Sequence, residues 1–177
     1  LRPVEQVSYY DALDFCDRLS AKFDLKATLP TEAQWEFACR AGTTTPYHFG
    51  TKQDPDSGHF FFDRKPRGLN YYDDDARKYL SKNHPLHVGS YKPNAFGLYD
   101  MHGNVAEWCL DAANKKYETL DRKDPLAATL EGGNRVVRGG HFAWGSPSST
   151  TRSAARLEHA ATRTSPSIGF RVLIRLD

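Results

Sequence analysis

The stretch Asn94-Ala95-Phe96-Gly97-Leu98-Tyr99-Asp100-Met101-His102-Gly103-Asn104-Val105-Ala106-Glu107-Trp108 leaves the chain few ways to fold. Pro93-Asn94-x-x-Gly97 reads as a turn, because Pro presets φ and Asn bonds its own backbone two residues on. Gly103-Asn104 reads as a second tight turn, of the kind that needs positive φ. Val105 and Trp108 then return to an apolar core. Two carboxylates, Asp100 and Glu107, flank this glycine turn. Two readings follow. Carboxylates beside turn carbonyls are oxygen donors of the kind a hard cation such as calcium takes. Alternatively, Asp100 caps the turn and Glu107 pairs with an arginine.

The rest of the chain supplies two clear helices and long aperiodic segments. Ser8 is a natural N-cap with Asp11 three residues on, and Tyr10, Leu13, Phe15, Cys16 and Leu19 follow near helical spacing, so the pattern predicts a helix over roughly 9–21. Thr31 with Gln34 forms a capping box for a second helix, whose buried stripe is Trp35, Ala38 and Cys39 and whose stop is Gly42. Residues 43–93 show little periodicity, which a compact domain must hold by other means. Packing by Phe60, Phe61, Phe62, Tyr71 and Tyr72 is one means and a bound cation another; Asp73-Asp74-Asp75 reads as a solvated acidic turn or N-cap for Ala76 to Leu80, with a cation site as the alternative. Arg135 to Arg138 reads as a strand, Arg152 to Arg156 as extended, Leu157 to Ser167 as a polar loop, and Ile168 to Ile174 as a terminal strand.

Composition excludes several classes. At 177 residues the length suits one domain, 1–177. The net charge of +2 is spread over interspersed lysines and acids, so there is no electrostatic footprint for nucleic acid. No apolar run reaches the length of a membrane helix, so no membrane insertion is expected. The cysteines Cys16, Cys39 and Cys109 match no zinc spacing, and Cys16 and Cys39, which lie in helical apolar patterns, read as buried free thiols. No stretch reads as a signal peptide, and the compartment is left open.

The segments Pro3-Val4-x-x-Val7-Ser8, Leu29-Pro30-Thr31-Glu32-x-x-Trp35-Glu36, the Asn94–Trp108 stretch, Arg138-Gly139-Gly140, Arg152-Ser153-Ala154 and Gly169-Phe170-Arg171 occur in that order. Together they resemble the formylglycine-generating-enzyme (sulfatase-modifying-factor) domain family over nearly the whole chain. The resemblance implies an α+β, irregular, loop-rich C-type-lectin-like fold with short helices and small twisted antiparallel sheets, and further strands before Pro3-Val4. It also implies a structural calcium held by Asp100 and Glu107 side chains and by Gly103 and Val105 carbonyls. The oxidase of the family seats copper(I) on two cysteines between the Arg-Gly-Gly and Arg-Ser-Ala segments, a soft ion on soft ligands. Here that interval, 141–151, contains no cysteine, so no copper is expected.

Within 138–171 the framework pieces match the family and the residues between them do not. These are His141, Phe142, Trp144, Ser146, Ser148, Ser149, Thr150, Thr151, Leu157, Glu158, His159, Thr162, Thr164 and Ser165, a mixture of hydroxyls and a few aromatics that resembles a paratope. The layout is similar to the variable proteins of diversity-generating retroelements, which implies that these residues contact a protein or small ligand. Three readings follow: a catalytically inactive binding domain with a C-terminal recognition face, an enzyme of the superfamily with non-classical chemistry in peptide or natural-product maturation, or a structural domain of a larger protein.

Overall fold

The computed structural model describes residues 1–53, 56–59, 84–113, 126, 133–142 and 148–176. Its elements run α1 (Tyr9–Phe23), β1 (Lys26–Thr28), α2 (Glu32–Arg40), β2 (Ala106–Ala112), β3 (Asn134–Arg138), β4 (Leu157–Ala160), β5 (Ile168–Gly169) and β6 (Leu173–Arg175), with a 3-10 turn at Ser148–Thr151. Sequence logic for both helix starts holds at atomic detail. The Ser8 hydroxyl accepts from the Asp11 N–H while the Asp11 carboxylate accepts from Ser8 N–H, and Thr31 and Gln34 do the same for α2. The stop of α2 differs by one residue: Ala41 takes the left-handed conformation at φ 45°, and Gly42 follows at φ 90°.

The buried face of α1 is rotated from the sequence reading. Tyr9, Ala12 and Cys16 face the core, while Tyr10 and Phe15 are exposed. The reason is Tyr9, whose ring meets Trp108 edge-on at 6.2 Å and whose hydroxyl donates to the Leu110 carbonyl at 3.2 Å.

The strands form a four-stranded sheet in the order β4-β3-β2-β5 and a two-stranded sheet pairing β1 with β6. Pairing is antiparallel except for β2 with β5, which is parallel with Ala106 opposite Ile168. Three sequence expectations are corrected here. Leu157–Ala160, read as loop, is the edge strand β4, with Leu157 opposite Val137 and packed on the core. Residues 152–154 form a turn instead of an extended run. The single terminal strand is two short ones on different sheets. At Gly169 an added Cβ would sit 2.2 Å from the Val4 carbonyl, so the backbone passes too close for any side chain before the chain leaves the larger sheet.

Two apolar clusters lie on the two faces of β2. One gathers Tyr9, Ala12, Cys16, Leu29, Trp108, Val137 and Ile168, and the other Trp35, Cys39, Met101, Cys109 and Val136. The aromatic run Phe60–Phe62, Tyr71, Tyr72 and Asp73–Asp75 lies outside the described residues.

Candidate functional site

The site region is built on the Asn94–Trp108 stretch. The Asn94 carboxamide oxygen accepts from Phe96 and Leu98 N–H at 3.0 and 3.1 Å, and its amino group donates to the Ala38 carbonyl at 2.7 Å, which fastens the first turn to the end of α2. Asp100, Gly103 and Asn104 all take positive φ (57°, 92° and 61°), and this folds the chain back into β2.

Glu107, buried at the start of β2, carries three donors. Arg171 grips it through Nε at 2.5 Å and Nη2 at 2.7 Å, and the Trp35 indole N–H donates to Oε2 at 2.6 Å. Arg171 also donates to the Tyr99 carbonyl at 3.1 Å, so one guanidinium joins the C-terminal segment to the turn and to the sheet. The arginine alternative for Glu107 is therefore realised. Asp100 accepts from Gly89 N–H at 2.8 Å, so it serves a neighbouring loop. Burial raises the Asp100 pKa, the Glu107 charge raises it further, and the Gly89 N–H and Arg171 oppose this.

A calcium ion on the donor set implied by the resemblance would have to share Glu107 with the Arg171 guanidinium and the Trp35 indole. Both Oε2 lone pairs of Glu107 are engaged, Oε1 takes one donor and keeps a second lone pair, and Asp100 uses Oδ2 toward Gly89. Asp100, Glu107 and Arg171 together carry one net negative charge, so a hard cation would meet oxygen donors of the right type but only modest attraction. Among the described residues no group of three or more His, Cys, Asp or Glu side chains converges for a metal.

A second ion-pair network carries the C-terminal segment. Arg138 is 1% exposed, donates to the Ala155 and Ser153 carbonyls and to Glu36, and lies 3.7 Å from Glu32. Glu32 in turn accepts from Arg156 Nε at 3.0 Å. Ser153 donates from its backbone N–H to the Pro46 carbonyl at 2.8 Å. Between these anchors the residues of the expected recognition face divide. Glu158, Thr162 and Thr164 are exposed, and His141, Thr150, Leu157, His159 and Ser165 are half-buried. Phe142 is buried and stacked on His59, and Thr151 is 1% exposed, so these two belong to the packing beneath the face. Trp144 and Ser146 lie outside the described residues; Ser148 and Ser149 are placed only as backbone of the 3-10 turn.

All three cysteines are buried and free. Burial pushes the Cys39 thiol up to about 12 and the Cys109 thiol well above the usual thiol range, and it raises Cys16 as well. Burial thus keeps all three in the neutral thiol form, which is a poor nucleophile.

Residues 1–176 match the sulfatase-modifying factor enzyme 1-like domain, and the chain belongs to this family. It is 30% identical over 176 residues to the formylglycine-generating enzyme of Mus musculus, covering 96% of this chain and 43% of that protein. It is 30% identical over 174 residues to inactive C-alpha-formylglycine-generating enzyme 2 of Bos taurus, covering 96% of this chain and 49% of that protein. The chain thus spans about half the length of these relatives or less. Among solved structures, PvdO from Pseudomonas aeruginosa superposes with a TM-score of 0.82 at 28% identity, over 99% of this chain and 62% of that one. Treponema denticola variable protein 1 superposes with a TM-score of 0.75 at 26% identity, over 97% of this chain and 70% of that one.

Sequence reasoning missed two residues of this region. In the sequence Arg171 stands out only as part of the Gly169-Phe170-Arg171 motif, although an arginine at a strand end is a natural partner for a buried glutamate elsewhere. His102 gave no signal, since it is one polar residue in an apolar turn.

Proposed function

We propose that this domain is a catalytically inactive binding module of the formylglycine-generating-enzyme fold, whose C-terminal face contacts a protein or small ligand. The observation that carries the reading is the interval 141–151: it lies between the two framework segments that would bracket a copper seat, and it holds no cysteine. Copper(I) needs soft ligands there, and the chain's cysteines are distributed through α1, α2 and β2 as neutral, buried thiols. The likeness to Treponema denticola variable protein 1 over nearly the whole chain supports a frame that presents a C-terminal segment. So does the division of that segment into deeply anchored residues and exposed hydroxyls.

A substitution scan on a display platform tests it, with retention of fold as the readout. Glu158, Thr162 and Thr164 are expected to accept almost any residue, because surface positions away from special features change stability little. Glu107, Arg138 and Arg171 are expected to accept almost none. Equal intolerance at the exposed positions would remove the distinction between frame and face.

A further inference from the structure

One buried side chain ties the C-terminal face to a second loop that sequence reasoning did not include. The His102 imidazole is 2% exposed and is ringed by three consecutive aromatics. Tyr47, His48 and Phe49 place their ring centroids 5.3, 5.0 and 5.2 Å from it. Its two nitrogens face opposite partners. Nδ1 lies 2.7 Å from the Thr151 carbonyl, which can only accept, so Nδ1 carries the hydrogen. Nε2 lies 3.1 Å from the His48 backbone N–H, which can only donate, so Nε2 is bare. The surroundings therefore fix one neutral tautomer. The same two loops are joined again by Gln53, whose amide donates to the Thr151 hydroxyl, and by the Pro46 carbonyl, which accepts from Ser153 N–H at 2.8 Å. Gly140 closes the arrangement, since a Cβ there would meet the Thr151 methyl.

We propose that His102 is the positioning residue of the recognition face: it clamps the Tyr47–Gly50 turn against the Ser148–Thr151 turn, so that half-buried His48 and Phe49 form the second wall of that face. A clamp of this kind lowers the entropy lost when a partner orders the loops, which is the usual gain from preorganisation. The proposal rests on reading the C-terminal segment as a recognition face. Its test uses no ligand, so a failed clamp leaves that reading standing.

The test combines nitrogen NMR of the imidazole with amide hydrogen exchange on the full chain. Wild-type protein is expected to show His102 protonated at Nδ1 and bare at Nε2. His102→Phe keeps an aromatic ring in the pocket and loses both hydrogen bonds. Backbone amides in 45–53 and 148–153 are then expected to exchange about tenfold faster or more, from the loss of two buried bonds, while β2 and β3 keep wild-type protection. His102→Gln is expected to restore part of the protection, because its amide sets a donor and an acceptor one carbon apart, as imidazole does. The clamp is overturned by hydrogen on Nε2, by unchanged exchange in both loops, or by an equal rise in β2 and β3. The wild-type tautomer decides by itself should His102→Phe not fold.

Discussion

Replacing Glu107 by alanine tests the frame where its charges are concentrated. The carboxylate is 8% exposed and its partner Arg171 is 25% exposed. The substitution removes the bidentate acceptor of Arg171 at 2.5 and 2.7 Å and the acceptor of the buried Trp35 indole at 2.6 Å. Breaking a buried ion pair by deleting one partner costs about 3–5 kcal/mol, because the remaining charge is stranded. Arg171 reaches water with a quarter of its surface and keeps the Tyr99 carbonyl, so the lower end applies, about 3 kcal/mol. For a chain of this length that lowers the melting temperature by roughly 6–12 °C. Glu107→Gln keeps one acceptor and should lie between. The assay is thermal and urea unfolding of both variants beside Thr162→Ala, an exposed position expected to move stability by less than about 0.5 kcal/mol. A loss below about 1 kcal/mol for Glu107→Ala, the median worth of a surface pair, would refute the reasoning.

Three further outcomes are expected. Arg138→Met should destabilise by about 1–3 kcal/mol, since it leaves the buried Ala155 and Ser153 carbonyls without their donor while Glu36 and Glu32 keep Arg40 and Arg156; urea midpoints of the single and Glu36→Gln double variants measure the coupling. Stability should fall on acidification from about pH 6.5 toward 4, because burial lowers the His102 pKa from 6.5 to about 4. The unfolded chain then binds a proton that the folded one refuses, so the contribution is complete above the upper value and is lost on the way to the lower; melting curves across that range, compared with His102→Phe, isolate it. Millimolar calcium should raise the melting temperature modestly and a chelator should lower it, with Asp100→Asn abolishing the response, since an ion bound only by the folded state stabilises it by mass action; calorimetric melting with and without calcium checks this.

Both helices were legible because their signals are local: Ser8 with Asp11 and Thr31 with Gln34 satisfy orphan amides within one turn. The turn at Gly103-Asn104 was legible for the same reason, since positive φ is written into residue type. What stayed hidden is non-local. The face of α1 was set by Tyr9 meeting Trp108, across about a hundred positions of sequence. β4 was hidden because Leu157-Glu158-His159-Ala160 is too short and polar to signal a strand without Val137 and its neighbours opposite. The Glu107 alternatives could not be decided until Arg171 was brought beside it by the parallel pairing of β2 with β5. Of the C-terminal segment, the framework anchors were visible as motifs, whereas the burial of Phe142 and Thr151 depends on His59 and His102, which no spacing announces.

The central claim is that this fold presents a contact surface and performs no cysteine oxidation. Incubating the purified chain with copper(I), oxygen and a sulfatase-type cysteine peptide, and following the peptide by mass spectrometry, tests it most directly. The expected result is an unchanged thiol peptide at every time point, beside full conversion by an active formylglycine-generating enzyme. Turnover of the cysteine to the aldehyde by this chain would contradict the claim.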